Sequence, residues 1–251
     1  MSCDRSLSAR VRWDKSRYKI IAAIPAYNEA GFIGEVVSKA KRFVNEVVVI
    51  DDGSTDNTAR TARSAGAIVI AHNANKGYGE AIKSCFKVAT MEGADILVIL
   101  DGDGQHDPND IPKLLAPLLT KEADMVIGSR FLPPAQLTQG TQQTQRTNIR
   151  RYRKFGINTI TFLLNLGSKT RVSDAQSGFR AYSRRLLDAL SPTEKGMAAS
   201  VEILIRAREK GFVIAEVPIS CVYHSQSSSL NPVIHGLSVA LTVIKLRLFR
   251  H

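Results

Sequence analysis

The sequence predicts an α/β fold, a doubly wound and mainly parallel sheet flanked by helices, and three observations carry that expectation. Short β-branched runs alternate with helical segments four times over, joined by brief connections. The runs are almost continuously apolar, as buried strands are. Polar clusters follow the strands rather than precede them, so they collect along one edge, where such sheets bind ligands. A chain of 251 residues with 44% hydrophobic content has ample material for a core.

Taken in order, residues 1–18 are basic and polar and read as an N-terminal arm. Residues 19–25 (KIIAAIP) form the first strand and 29–42 a helix. Residues 47–50 form the second strand, which runs into Asp51-Asp52-Gly53-Ser54-Thr55-Asp56. Ser54 or Thr55 is placed to cap the next helix, with Asp56 in its first turn. Residues 67–71 give a third strand, entering His72-Asn73-Ala74-Asn75-Lys76-Gly77, and 78–92 a helix. The fourth strand is 96–100. Pro108 opens another helix, and 125–127 is a fifth strand entering Gly128-Ser129-Arg130. A further strand, 213–217, ends at Pro218. The catalytic domain is expected to span 19–231, with a Gln/Thr-rich mobile loop at 132–150 and an amphipathic C-terminal helix at 232–251.

Charge narrows the function classes. The net charge is +11 and the isoelectric point about 9.8, which calls for a polyanionic partner: nucleic acid, an acidic membrane or a phosphorylated substrate. Between Met125 and Leu187 Asp174 is the only acidic residue, against eleven Arg and Lys, so this stretch reads as a basic, anion-facing appendage. Within it, residues 155–166 make a basic-flanked apolar helix, equally readable as core or as a membrane-surface element. Three unpatterned cysteines fit a reducing compartment and give no zinc motif. No apolar run reaches the roughly 20 residues of a membrane span, and the N-terminus lacks a signal-peptide core. The expected location is the cytoplasm, peripheral on a membrane face.

The run Asp101-Gly102-Asp103-Gly104-Gln105-His106 ends the fourth strand. Two carboxylates one residue apart repel unless a cation lies between them, and with the Gln105 amide they form a set of hard oxygen ligands suited to Mg²⁺ or Mn²⁺. Alone, the run fits a turn after a strand equally well. The converging clusters Tyr27-Asn28-Glu29, Asp51-Asp52 and Asn75-Lys76-Gly77 favour the site.

Together these motifs, with Gly128-Ser129-Arg130 and Asp174-Ala175-Gln176-Ser177-Gly178-Phe179-Arg180, resemble inverting glycosyltransferases of family 2 with the GT-A fold. The likeness is nearest to the polyprenyl-phosphate (dolichol-phosphate type) enzymes. The resemblance implies that Pro25, Ala26, Tyr27, Glu29, Ile50, Asp51, Asp52, Lys76, Gly77, Asp101, Gly102 and Asp103 bind a nucleotide-sugar. It implies that Asp101, Asp103 and Gln105 hold the divalent ion. It assigns Arg130, Arg153, Ser177, Arg180 and His224 to the acceptor phosphate, with Asp101, Arg130 and Asp174 as the catalytic set. Asp174 serves either as a base or as the partner of Arg180 or another basic residue.

After the last strand such enzymes commonly carry a basic residue following Tyr and then a Ser-Lys pair, whereas this chain has Tyr223-His224-Ser225-Gln226. The donor is therefore left open between GDP-mannose and UDP-glucose types. The expected partners are a nucleotide-sugar, a polyprenyl-phosphate lipid and a membrane surface, with a membrane protein as a further possible partner and no nucleic acid.

Competing readings are a family 2 enzyme with another acceptor, a haloacid-dehalogenase-like phosphatase and a nucleic-acid-binding module. The phosphatase loop normally follows the first strand, not the fourth. A dinucleotide-binding dehydrogenase lacks its G-x-G-x-x-G after the first strand. The nucleic-acid reading leaves the acidic edge without a purpose.

Overall fold

Strand β1, Ile20–Ala26, is buried along its whole length at the middle of the sheet. The structure, a computed structural model, describes residues 17–133, 159–166, 168 and 170–222. Beside β1 run β2 (Glu46–Asp51), then β3 (Ile68–Ala71), both parallel to it. On its other side lies β4 (Ile96–Ile99), also parallel. Strands β5 (Met125–Ser129), β6 (Arg180–Ser183) and β7 (Ile214–Pro218) complete a seven-stranded sheet of order β3-β2-β1-β4-β6-β5-β7.

The helices are α1 (Ile33–Ala40), α2 (Thr58–Ser64), α3 (Tyr78–Met91), α4 (Ile111–Leu119), α5 (Arg184–Ala189) and α6 (Ala198–Glu209). Alternation along β1 divides the core between two faces, because successive side chains point to opposite sides of a sheet. Ile20, Ala22 and Ile24 pack with Ile33 and Val37 of α1 and Leu114 and Leu115 of α4. Ile21 and Ala23 join Ile82, Cys85 and Phe86 of α3 and Leu204 of α6. Truncating a fully buried Ile or Leu to Ala in either layer should cost about 2–5 kcal/mol.

The mainly parallel α/β expectation agrees with this sheet, and several local expectations change. The first helix begins at Ile33 rather than 29, because Asn28 adopts φ 56° and the Glu29 carbonyl accepts from Phe32 and Ile33 N–H in a turn. Neither Ser54 nor Thr55 caps α2, whose N-cap is Asn57 without a side-chain cap bond. Ser54 Oγ accepts instead from Asn28 N at 2.9 Å, and the Asp56 carboxylate accepts from Thr58 N.

Strand β6 was not expected from sequence. It is antiparallel to both β4 and β5 and wedges between them. Its four residues, Arg-Ala-Tyr-Ser, hold too little alternation to announce a strand.

The strand order reverses at β1, whose two neighbours lead away in opposite directions. That switch point opens a crevice at the carboxyl ends of β1, β2 and β4. Among the described residues no helix is long and apolar enough to cross a membrane. The expected arm at 1–18, the loop at 132–150 and the helix at 232–251 lie almost wholly outside the described residues.

Candidate active site

The ends of β1, β2 and β4 bring three of the sequence clusters together. A Cβ on Gly102 would stand 3.2 Å from the Ala26 Cβ and 3.4 Å from the Pro25 carbonyl oxygen, so the Asp101–Asp103 turn lies against the end of β1. Gly53, at φ 73°, plays a similar part between two loops. A Cβ there would stand 2.5 Å from the Ala74 carbonyl carbon. The β2 loop is thereby pressed on the β3–α3 loop.

On the β2 side, Tyr27 is exposed at the rim, whereas Ile50 is buried behind it. Asn28 Oδ1 accepts from Thr55 N at 2.8 Å, tying the β1 and β2 loops. Asp51 Oδ1 accepts from Ser54 N at 3.1 Å, and among the described residues no donor engages its Oδ2. Asp52 is more heavily engaged, by His72, Lys76 N and Gly77 N.

Carboxylates crowd the β4 end. Glu29 is pushed up to about 7, first by burial and then by the charges of Asp103, Asp101 and Asp56. Asp101 rises to about 6, because burial outweighs the opposing pull of Arg130 and Arg180. His106, held down to about 4 by burial, is neutral at pH 7. Its buried Nδ1 has no hydrogen-bond partner and lies 3.6 Å from Asp101 Oδ2. Clustered negative charge with an orphaned nitrogen beside it fits a divalent cation.

Gln105 is turned toward Asp103: its Nε2 donates to Asp103 Oδ2 at 2.6 Å and its N–H to Oδ1 at 3.0 Å. The expected third ligand thus orients the second. Among the described residues no three His, Cys, Asp or Glu side chains form a complete metal cage. A pair of carboxylates that leaves coordination positions to phosphate and water is the usual arrangement for Mg²⁺.

On the β5 side, Arg130 and Asp174 form a two-pronged ion pair. Arg130 Nε donates to Oδ2 at 2.7 Å and Nη2 to Oδ1 at 2.8 Å. Asp174 is fully buried, and Arg130 retains 12% side-chain exposure at the crevice. The turn carrying Asp174 is itself anchored. Glu216 on β7 accepts from Ser173 N at 2.7 Å and Asp174 N at 3.1 Å.

Arg180 and Ser177 sit where the acceptor assignment does not fit. Arg180 is 1% exposed, and its guanidinium donates to the carbonyls of Ala175, Ser177 and Ser200 at 2.6–2.8 Å. It stands behind Asp101 as a buried positive charge. Ser177 is also fully buried, its Oγ accepting from Phe179 N. Arg180 is therefore not the partner of Asp174; Arg130 is. Arg153 and His224 lie outside the described residues. The chain leads toward His224 from the site, since Val222 N donates to the Gln105 carbonyl and Cys221 bridges to His106.

Sequence reasoning passed over Gly178. A Cβ there would stand 2.5 Å from Asp101 Oδ2, so only glycine leaves the carboxylate its place. It also passed over Glu216, whose i+2 alternation on β7 gave no sign that it faces the Ser173 turn, and over His72.

A switch-point crevice lined by a paired-carboxylate turn and a forked arginine defines a GT-A domain, and the chain is a glycosyltransferase. It belongs to glycosyl transferase family 2, whose model it matches over residues 21–191. It is 34% identical to UDP-N-acetylglucosamine–dolichyl-phosphate N-acetylglucosaminyltransferase of Methanococcus voltae, over 85% of this chain and 88% of that one. It is 30% identical to undecaprenyl-phosphate mannosyltransferase of Micrococcus luteus, over 81% and 84% respectively. Among solved structures, it resembles glucosyl-3-phosphoglycerate synthase from Mycobacterium tuberculosis in complex with Mn²⁺, UDP and phosphoglyceric acid. That match has a TM-score of 0.68 and 25% identity, and covers 93% of this chain and 78% of the other.

Proposed function

We propose that this protein transfers a sugar from a nucleotide-sugar of the UDP-glucose or GDP-mannose type to a polyprenyl (dolichyl-type) phosphate, with inversion at the anomeric carbon. The observation that carries this reading is the placement of two opposite charge sets on one crevice: the Asp101/Asp103 turn at the β4 end and the Arg130–Asp174 fork at the β5 end. Relatives with dolichyl-phosphate and undecaprenyl-phosphate acceptors support the acceptor class, and the solved neighbour with UDP and Mn²⁺ supports the donor side.

Tyr27 offers a face for the nucleobase, and Asp51 Oδ2 accepts from base or ribose. Lys76 and Gly77 close the nucleotide side, with Pro25, Ala26 and Gly102 forming its floor. Asp101 and Asp103, the latter held by Gln105, would hold Mg²⁺ or Mn²⁺, which when bound supplies positive charge to the departing diphosphate.

Arg130 faces the other substrate. A planar guanidinium fixed by Asp174 carries its charge toward a phosphate in a set direction. That aims a phosphate oxygen at the sugar carbon opposite the leaving diphosphate, the geometry of inversion. A phosphate monoester has a second pKa of about 6 and is already a nucleophile at neutral pH. No base is required of Asp174, whose carboxylate is committed to Arg130.

A polyprenyl chain cannot leave its bilayer readily, so the enzyme works on the membrane's cytoplasmic face as a peripheral protein. Phe162 and Leu166 support this, being 65% and 46% exposed, while Ile160 and Leu164 of the same segment are buried. Incubation of the purified protein with a panel of labelled nucleotide-sugars and a short polyprenyl phosphate tests the function. One donor should yield a lipid-linked monophosphate sugar; nucleotide-sugar consumed without such a lipid would overturn the acceptor.

A further inference from the structure

Asp51 and Asp52 are adjacent, and both are 4% exposed, yet their surroundings differ. Asp52 Oδ1 faces His72 Nδ1 at 2.6 Å and Lys76 N at 3.0 Å, and Oδ2 accepts from Gly77 N at 2.7 Å. A carboxylate only accepts, so His72 Nδ1 carries the proton in this contact. The other ring nitrogen, Nε2, lies 2.9 Å from Ser84 Oγ on α3. His72 N in turn donates to the Asp51 carbonyl at 2.9 Å. One imidazole thus joins the end of β2, the end of β3 and the second turn of α3.

The loop being held is the one that carries Lys76. Its Gly77 has φ 87°, which glycine adopts freely, so the loop's shape draws its support from contacts outside it. Asp52 supplies that support through two consecutive main-chain N–H groups, and Gly53 lets the loop approach within contact of Ala74 and Asn75. Three protein donors on its two oxygens tie Asp52 to this loop. Asp51 Oδ2, which meets no donor among the described residues, is open to a ligand.

We propose that His72 is a positioning residue for the donor nucleotide: acting through Asp52, it fixes the 73–77 loop that carries Lys76. This rests on the nucleotide-sugar reading above. Losing a charge-assisted hydrogen bond of this kind should cost roughly ten-fold in affinity for what the loop holds. His72→Ala should therefore raise KM for the nucleotide-sugar roughly ten-fold, with kcat and the acceptor KM within about two-fold of wild type. Calorimetry with UDP and GDP, one nucleotide at a time, should show the same weakening for whichever binds the wild type. His72→Asn keeps an N–H near the Nδ1 position and should recover most of the loss, at an unchanged thermal midpoint.

A general structural defect would lower kcat and raise both KM values together, and Asn would not rescue it. That pattern, or a donor KM untouched by His72→Ala, overturns the proposal while leaving the donor reading in place. If the wild type binds neither UDP nor GDP, the donor reading itself falls and takes this assignment with it.

Discussion

Arg130 and Asp174 are joined by two parallel hydrogen bonds, 2.7 and 2.8 Å long, with the carboxylate fully buried and the guanidinium at the crevice wall. The pair fixes both the direction and the charge of the arginine proposed to face the acceptor. Removing either partner leaves the other charge without this ion pair. Arg130→Ala should lower turnover with polyprenyl phosphate by about 100-fold, the size of one lost transition-state contact, with nucleotide affinity within about three-fold. Arg130→Lys keeps the charge without the fork and should fall between. Asp174→Asn should cost activity as well, and both Arg130→Ala and Asp174→Asn should cost about 3 kcal/mol of stability, since each removes one partner of a largely buried ion pair. Steady-state kinetics beside chemical denaturation separate the two. An equal loss of nucleotide affinity in Arg130→Ala would move this residue to the donor side.

Gly178 gives a second test with no change of charge. Gly178→Ala places a methyl 2.5 Å from the Asp101 carboxylate, so the carboxylate must rotate or the turn must shift. Donor turnover should fall by at least about 10-fold, while far-ultraviolet dichroism stays native. Full activity in this variant would show that Asp101 does not act from its present position.

Much of this arrangement was legible in the chain. Residues 96–100 and 47–50 announced buried strands by β-branching, and Asp101, Asp103 and Asp51 announced the edge by following them. Pairings across distant segments were not legible. Asp174 had several basic candidates in sequence, and only the approach of β5 to the 173–174 turn selects Arg130. Arg180 looked like a phosphate ligand because nothing in a sequence shows that a guanidinium is buried and bonded to three carbonyls. Strand β6 was missed because its four residues include a buried arginine where an apolar side chain is expected. His72 was passed over because its partners, Asp52 and Ser84, come from two other elements.

Glu29 makes the ion-free protein sensitive to pH. Its carboxyl, raised from 4.5 to about 7, holds a proton in the folded state that the unfolded chain has already lost. Stability should therefore fall as pH rises from about 4.5 to 7, then level off. Glu29→Gln reduces this slope, leaving the part that Asp101 contributes, and should be the more stable protein at pH 8, by about 1 kcal/mol once solvent screening is allowed for. Denaturant melts at pH 5 and pH 8 in chelator check this. A wild-type slope unchanged by the substitution would place its origin elsewhere.

The exposed apolar pair on the 159–166 segment gives a membrane test. Phe162→Ser with Leu166→Ser removes side chains that are 65% and 46% exposed, so the fold should tolerate the change. Each apolar side chain contributes roughly 1.5–3 kcal/mol when fully buried, and partial insertion of two should be worth at least about ten-fold in partitioning. Co-sedimentation with anionic vesicles at low salt should drop accordingly, with nucleotide binding unchanged. Equal sedimentation would exclude this segment as the contact.

The most direct test of the site measures turnover of the nucleotide-sugar with polyprenyl phosphate in Mg²⁺ or Mn²⁺, in EDTA, and in Asp103→Asn. The account predicts nucleoside diphosphate and lipid-linked sugar in equal amounts with the ion present. Turnover should be lost in EDTA and restored by added metal. The folded Asp103→Asn protein should be slower by at least about 100-fold, the scale of one electrostatic contact to a leaving group. Full lipid-linked product in EDTA, or from Asp103→Asn, would contradict it.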